Sequence, residues 1–197
     1  GATHSLINII DNLPKNILPY VLIPKTLKAS ALISKEQKLL TKAGTLKQEL
    51  RKRNVPYFEA YYFIDNLKIK QNMLKKIFFS IIRKKELNKM KKKVKQERID
   101  VIHSNSSVVK FGKDLSEICN TKHIWHIREN VNDLFDMSKK NQKIYFENIV
   151  NRAGKVVFVS EKLKGDFEKK SKEFCENVPH GMTQFITIYN GVPLSNY

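Results

Sequence analysis

The sequence predicts an α/β fold, a Rossmann-like three-layer α/β/α domain with a mainly parallel sheet. Three observations predict it. Four short apolar segments end in polar residues: Asp100–Ser106 (DVIHSNS), His123–Asn130 (HIWHIREN), Lys155–Glu161 (KVVFVSE) and Phe185–Val192 (FITIYNGV). Their apolar parts are rich in Val and Ile, as suits strands buried on both faces of a parallel sheet. Helix-like stretches separate them, which makes the pattern one of repeated βα units. In such sheets ligands gather beyond the carboxyl ends of the strands, where these polar residues fall.

Taken in order, Gly1 to Leu13 reads as a glycine-led loop entering an amphipathic helix, with Leu6, Ile9, Ile10 and Leu13 at helical spacing. A glycine turn of this kind normally follows a strand, so the expectation is that the first strand is missing. Tyr20 to Pro24 is a short strand, and Leu27 to Leu40 a polar loop with some helix. Gly44 to Arg53 is a helix, and the chain turns at Asn54 into a strand ending near Tyr62. Leu67 to Arg98 forms one or two basic helices. Then come a strand at Val101, a helix over Val108 to Cys119, a strand at His123 and a helix over Ser138 to Ala153. A strand at Val156, a helix over Glu161 to Phe174 and a strand at Ile186 complete the series. Pro179 and Gly181 break the loop from Glu176 to Gln184. The whole of 1–197 is expected to form a single domain.

Charge is the outlier. Lys and Arg total 37 against 19 Asp and Glu, a formal net charge of +18. The abundance of Lys, Ile and Asn matches what an AT-rich coding sequence gives, so distribution carries more meaning than the total. Leu67 to Arg98 holds thirteen Lys or Arg and two acids, Glu86 and Glu97. That stretch supplies most of the net charge and acts on anionic partners within about a Debye length, ~8 Å. Leu74, Ile77, Phe78, Ile81 and Ile82 form an apolar stripe there, beside Lys75, Lys76, Arg83, Lys84 and Lys85. The pattern suits a helix lying on an anionic membrane; it equally suits a helix packed on the sheet with solvated lysines. Nucleic-acid binding is disfavoured, because aromatic residues are not interleaved for base stacking.

No apolar run approaches the ~18 residues of a spanning helix, and the first residues lack the basic and apolar regions of a signal peptide. Cys119 and Cys175 lie far apart in helix-like segments and read as reduced thiols, which points to the cytoplasm. Cys119, His123, His126, Cys175 and His180 include the residue types that bind zinc, but His123 and His126 point to opposite faces of one strand and no close cysteine pair exists. No metal site is expected.

Five segments in this order resemble the amino-terminal domain of family 4 glycosyltransferases. They are Gly1–Ser5 (GATHS), the Gly44 to Leu50 helix with Val55-Pro56, Asp100–Ser104 (DVIHS), Trp125–Glu129 (WHIRE), and Val159–Glu161 (VSE) with Tyr189–Val192 (YNGV). The resemblance implies the two-domain GT-B fold, of which this chain is the acceptor-side half without its first strand and without the carboxyl-terminal donor domain. The stretch from Ala31 to Thr41 is longer than the family pattern. The implied activity is that of a retaining, metal-independent transferase in bacterial surface polysaccharide or glycolipid biosynthesis. It moves a sugar from a nucleotide-sugar donor to a glycan or lipid-linked acceptor and needs no cofactor. The fragment alone is expected to be inactive, and the enzyme to be cytoplasmic, with peripheral contact at the inner face of the cell membrane through Leu67 to Arg98. The rival class is a non-catalytic basic α/β module that binds nucleic acid or an anionic membrane.

His126 is the first candidate for chemistry. It shares a strand face with Ile124 and Arg128, so His126 and Arg128 converge near the strand's carboxyl end. By resemblance His126 lines the cleft at the donor sugar or reaction centre, while Arg128 and Glu129 shape the acceptor side. An imidazole and a guanidinium suit a pyrophosphate or a phosphorylated acceptor; the competing reading is a hydrogen-bonded structural histidine. His103, Ser104 and Asn105 end another strand, either to hold a sugar or to cap the next helix. Gly1, Ala2 and Thr3 offer backbone amides to a donor phosphate at a helix start, with His4 beside them. Ser160 and Glu161 read first as a helix start and second as ligand groups.

Overall fold

A computed structural model describes residues 2–25, 44–62, 73–130, 138–150, 154–175 and 183–191. The architecture is α/β and Rossmann-like, with six helices and two parallel sheets among the described residues. In chain order the elements are α1 (Ala2–Asp11), β1 (Val21–Pro24), α2 (Gly44–Lys52), β2 (Tyr57–Ala60), α3 (Met73–Gln96), β3 (Val101–Ser104), α4 (Phe111–Cys119), β4 (Lys122–Ile127), α5 (Lys139–Val150), β5 (Lys155–Phe158), α6 (Glu161–Phe174) and β6 (Gln184–Thr187). The segments 26–43 and 63–72, Gly1 and His180 lie outside the described residues, as do the side chains of Ala2, Leu74, Lys75 and Lys76. The chain divides into two compact units, residues 1–64 with 70–93 and residues 65–69 with 94–197.

In the first unit β1 and β2 pair in parallel, Val21 opposite Tyr57 and Pro24 opposite Ala60. Ile7 of α1, Val21 and Ile23 of β1, Leu50 of α2 and Val55 close its core. Arg53 ties α1 to the end of α2 as a donor: its Nε and Nη2 donate to the Asp11 carboxylate at 2.6 and 3.0 Å, and its Nη1 to the Glu49 carboxylate at 2.6 Å and to the Glu49 carbonyl at 3.2 Å.

The second unit is a four-stranded parallel sheet in the order β3-β4-β5-β6. Strand order follows chain order, so every crossover steps the same way. Right-handed crossovers that all step one way lay their helices on one face. The packing agrees: Trp125, Ile127, Val156 and Phe158 of the sheet pack with Tyr145, Phe146, Ile149 and Val150 of α5 and with Phe167 of α6. On the same face a Cβ added at Gly112 of α4 would sit on Ser104 Oγ, so glycine is what lets α4 approach β3 this closely. Register places Val101, His103, Ile124, His126, Val157 and Ile186 on the opposite face. Thus the helices take one face, and two histidines stand on the other.

Three helix-to-strand turns share one device. After α2, α3 and α4 the chain passes through a left-handed residue, Asn54 (φ 53°), Arg98 (φ 50°) and Asn120 (φ 53°). The following amide then reaches back five residues, Val55 to Leu50, Ile99 to Val94 and Thr121 to Ser116, at 2.9, 3.0 and 2.9 Å. These are Schellman turns, which satisfy the last helical carbonyls and send the chain into the next strand. The helix expected from Val108 starts instead at Phe111, and its N-cap, Lys110, has no side-chain capping bond. The capping role considered for Ser104 and Asn105 is therefore not the one they fill.

Candidate functional site

The carboxyl ends of β3, β4 and β6 bring together His103, Asn105, His126, Arg128 and Asn190. The rings of His103 and His126 stack with centroids 5.4 Å apart and planes 22° apart; His103 is paired with Ile124, so His126 is its diagonal neighbour on the same face. Arg128 lies one step past the end of β4. Its Nε donates to Asn105 Oδ1 at 3.0 Å, its Nη1 to Asn190 Oδ1 at 2.9 Å, and its Nη2 to His126 Nδ1 at 3.3 Å. The convergence of His126 and Arg128 expected from strand alternation is present.

These contacts determine what each group can offer. A guanidinium only donates, so Nδ1 of His126 must accept and the ring is neutral with its proton on Nε2. That Nε2 is buried and has no hydrogen-bond partner among the described residues. Burial of His126, which is 6% exposed, holds its pKa down at about 4, and the nearby Arg128 and His103 push the same way. His126 is thus an unspent N–H donor and a poor base. Arg128 has five N–H donors; three are engaged, which leaves two on its terminal nitrogens. Its oxygen partners are neutral amides, and no carboxylate bridges to it among the described residues. Partial burial of this cation lowers its pKa, with Glu129 acting against the shift.

Glu129 turns its carboxylate elsewhere. Its Oε1 accepts from Ser106 Oγ at 2.7 Å, Ser107 N at 3.0 Å and Ser107 Oγ at 3.0 Å. Trp125 Nε1 donates to the Ser106 carbonyl at 3.0 Å, so the loop after β3 is held from two sides by β4. Glu129 braces the loop that carries Asn105. Ser104 points to the helix-covered face, buried, with its Oγ 2.9 Å from His123 Nε2. Ser160 caps α6 by accepting from Leu163 N at 3.2 Å, and Glu161 is exposed in the first turn of that helix, as a helix start requires. Thr3 and His4 are exposed in the first turn of α1, in the other unit. Gly1 and the side chain of Ala2 lie outside the described residues.

Asn190 was not among the residues singled out by type, nor were Ser106 and Ser107. The signal for Asn190 was present, since it follows the last apolar segment as Asn105 follows the first. No protein family, curated protein or solved structure matches this chain. Among the described residues no group of three or more His, Cys, Asp and Glu could hold a metal ion, and no helix is long and apolar enough to cross a membrane. Both cysteines are free thiols. Chemically the site presents three N–H donors without a partner among the described residues, and a positive charge, the complement of a phosphate flanked by a hydroxyl-bearing group.

Proposed function

We propose that the chain is the acceptor-side domain of a retaining, nucleotide-sugar-dependent glycosyltransferase, which builds a bacterial surface polysaccharide or glycolipid. A second α/β domain would hold the nucleotide. The enzyme works in the cytoplasm against the inner face of the cell membrane, where lipid-linked acceptors reside. One observation carries this reading: Arg128, a part-buried cation that no carboxylate bridges among the described residues, stands beside the Nε2–H of His126, which has no partner among them, at the strand ends. An anion such as a sugar-linked phosphate supplies the missing charge, and a sugar hydroxyl the missing acceptor. The resemblance of Trp125–Glu129 (WHIRE) to family 4 transferases supports the same residues.

In this role His126 donates rather than abstracts. Its Nε2–H holds a hydroxyl of the donor sugar, while Arg128 neutralises charge that builds on phosphate oxygens as the glycosidic bond breaks. In the full-length enzyme Arg128→Met and His126→Phe are each expected to lower turnover by about 10²–10³-fold, the cost of one positioned donor at developing charge. Radiolabelled sugar transfer, read beside circular dichroism of the same variants, checks this. Near-normal turnover in both folded variants contradicts the proposal. The rival, a non-catalytic basic module, draws on the lysines of α3, and a folded full-length protein that transfers no sugar from any nucleotide-sugar would favour it.

A further inference from the structure

Helix α3 has a buried side and an exposed side. Glu86, Met90 and Val94, spaced by four, are 8%, 2% and 9% exposed, and the backbone amide of Tyr61 donates to Glu86 at 3.4 Å. The other side carries Ile77, Phe78 and Ile81, which are 50%, 43% and 64% exposed. Continuing along that side at helical spacing come Lys84, Lys85, Lys89, Lys92 and Lys95, all exposed. Among the described side chains of this exposed side, from Ile77 onward, apolar residues therefore precede cationic ones along the helix, which differs from the lateral stripe expected from sequence. Ile82, expected in that stripe, is only half-buried and lies away from it. From Lys84 to Lys95 the charges run about 16 Å at 1.5 Å per residue. Glu86 is the one acid on the helix, and it faces the buried side.

We propose that this exposed side of α3 docks on an anionic lipid bilayer. Ile77, Phe78 and Ile81 enter the boundary between headgroups and acyl chains, and the lysines lie along the lipid phosphates. Both halves of the surface then find their complement. A nucleic acid offers phosphates to the lysines but no apolar counterpart to Ile77 and Ile81, and a second copy of the chain would set lysine against lysine. An interfacial helix needs buried apolar area together with attraction to anionic headgroups, and α3 presents the two in sequence. The inference stands on α3 alone and does not rest on the transferase reading.

Co-sedimentation of the whole chain with phosphatidylcholine vesicles, with and without phosphatidylglycerol, tests it. Binding should require the anionic lipid and weaken roughly tenfold or more as salt rises from low to high, since screening shortens the reach of exposed charges. Lys84→Gln with Lys85→Gln, Lys89→Gln and Lys92→Gln should reduce binding by at least about tenfold, each charge being worth up to about fivefold. Ile77→Ser with Ile81→Ser should reduce it without any change of charge. Phe78→Trp reports insertion directly, because the native Trp125 is 1% exposed and gives a constant background. Its emission should shift to the blue on anionic vesicles, a result that stands even if the serine pair unfolds in thermal melts. Failure to bind anionic vesicles at low salt overturns the proposal. So does binding with no emission shift and equal displacement by duplex RNA, which would mark a general polyanion surface.

Discussion

His123 and His126 sit three residues apart on β4 and face opposite sides of the sheet, yet burial lowers both pKa values to about 4. For His123 the neighbouring His103 and Lys113 add to the effect of burial, while Glu117 opposes it. In an unfolded chain each ring titrates near its ordinary value of about 6.5. A folded pKa below the unfolded one makes the neutral ring part of the folded state's stability. That contribution is complete above about pH 6.5 and is lost as pH falls towards 4. Thermal melts between pH 7.5 and 5 should therefore show Tm falling through the lower half of that window, and His126→Gln should flatten the slope. A Tm independent of pH, or a slope unchanged in the variant, contradicts the buried neutral ring. The residue scale also shows what alternation along a strand can and cannot reveal. It placed His126 beside Arg128, because side-chain direction in a strand depends only on position. It could not place Asn190, since that contact depends on β6 lying two strands away from β4, a matter of sheet order.

At the level of elements, α4 packs on β3 with no room for a side chain at Gly112. Gly112→Ala would set a methyl against Ser104 Oγ, at the point where Ser104 meets His123. Overpacking of this kind costs about 1–3 kcal/mol. In a Ser104→Ala background the obstructing oxygen is gone, and the remaining neighbours, His123 Nε2 and Ile102 Cγ2, lie at an ordinary 3.6 Å. The two changes should therefore be non-additive, the double variant being more stable than the sum of the singles implies. Chemical denaturation of the four proteins measures this, and simple additivity would mean that α4 shifts to relieve the clash. The strands β3 to β6 were legible in the sequence because buried parallel strands are short apolar runs bounded by polar groups. The start of α4 was less legible: Val108 fits helical spacing, but Ser106 and Ser107 are drawn to Glu129, 22 or more residues away, and the helix begins only after that loop closes. The sidedness of α3 was hidden for a related reason. Its apolar residues, Ile77 to Met90, include members of both sides, and only tertiary packing decides that Met90 is buried while Ile81 is exposed.

For the whole molecule, uniform strand order carries the argument. Four strands in chain order send α4, α5 and α6 to one face and leave His103 and His126 on the other, with their polar loops gathered at one end of the sheet. The fold thereby positions Arg128 between Asn105 and Asn190, two amides just past the ends of the outer strands of the sheet, with no carboxylate bridging to it among the described residues. The central claim is that this arrangement receives a phosphate-bearing ligand through Arg128 and the Nε2–H of His126. Long-range ¹H–¹⁵N NMR of the histidine rings, recorded while inorganic pyrophosphate and then UDP-glucose are added, tests it most directly. The expected spectrum of the free chain shows His126 neutral at pH 7 with its proton on Nε2. Added ligand should then shift that resonance saturably, and Arg128→Met should abolish the shift without lowering Tm. A proton on Nδ1 in the free chain, or a His126 resonance that moves with neither ligand, contradicts the account.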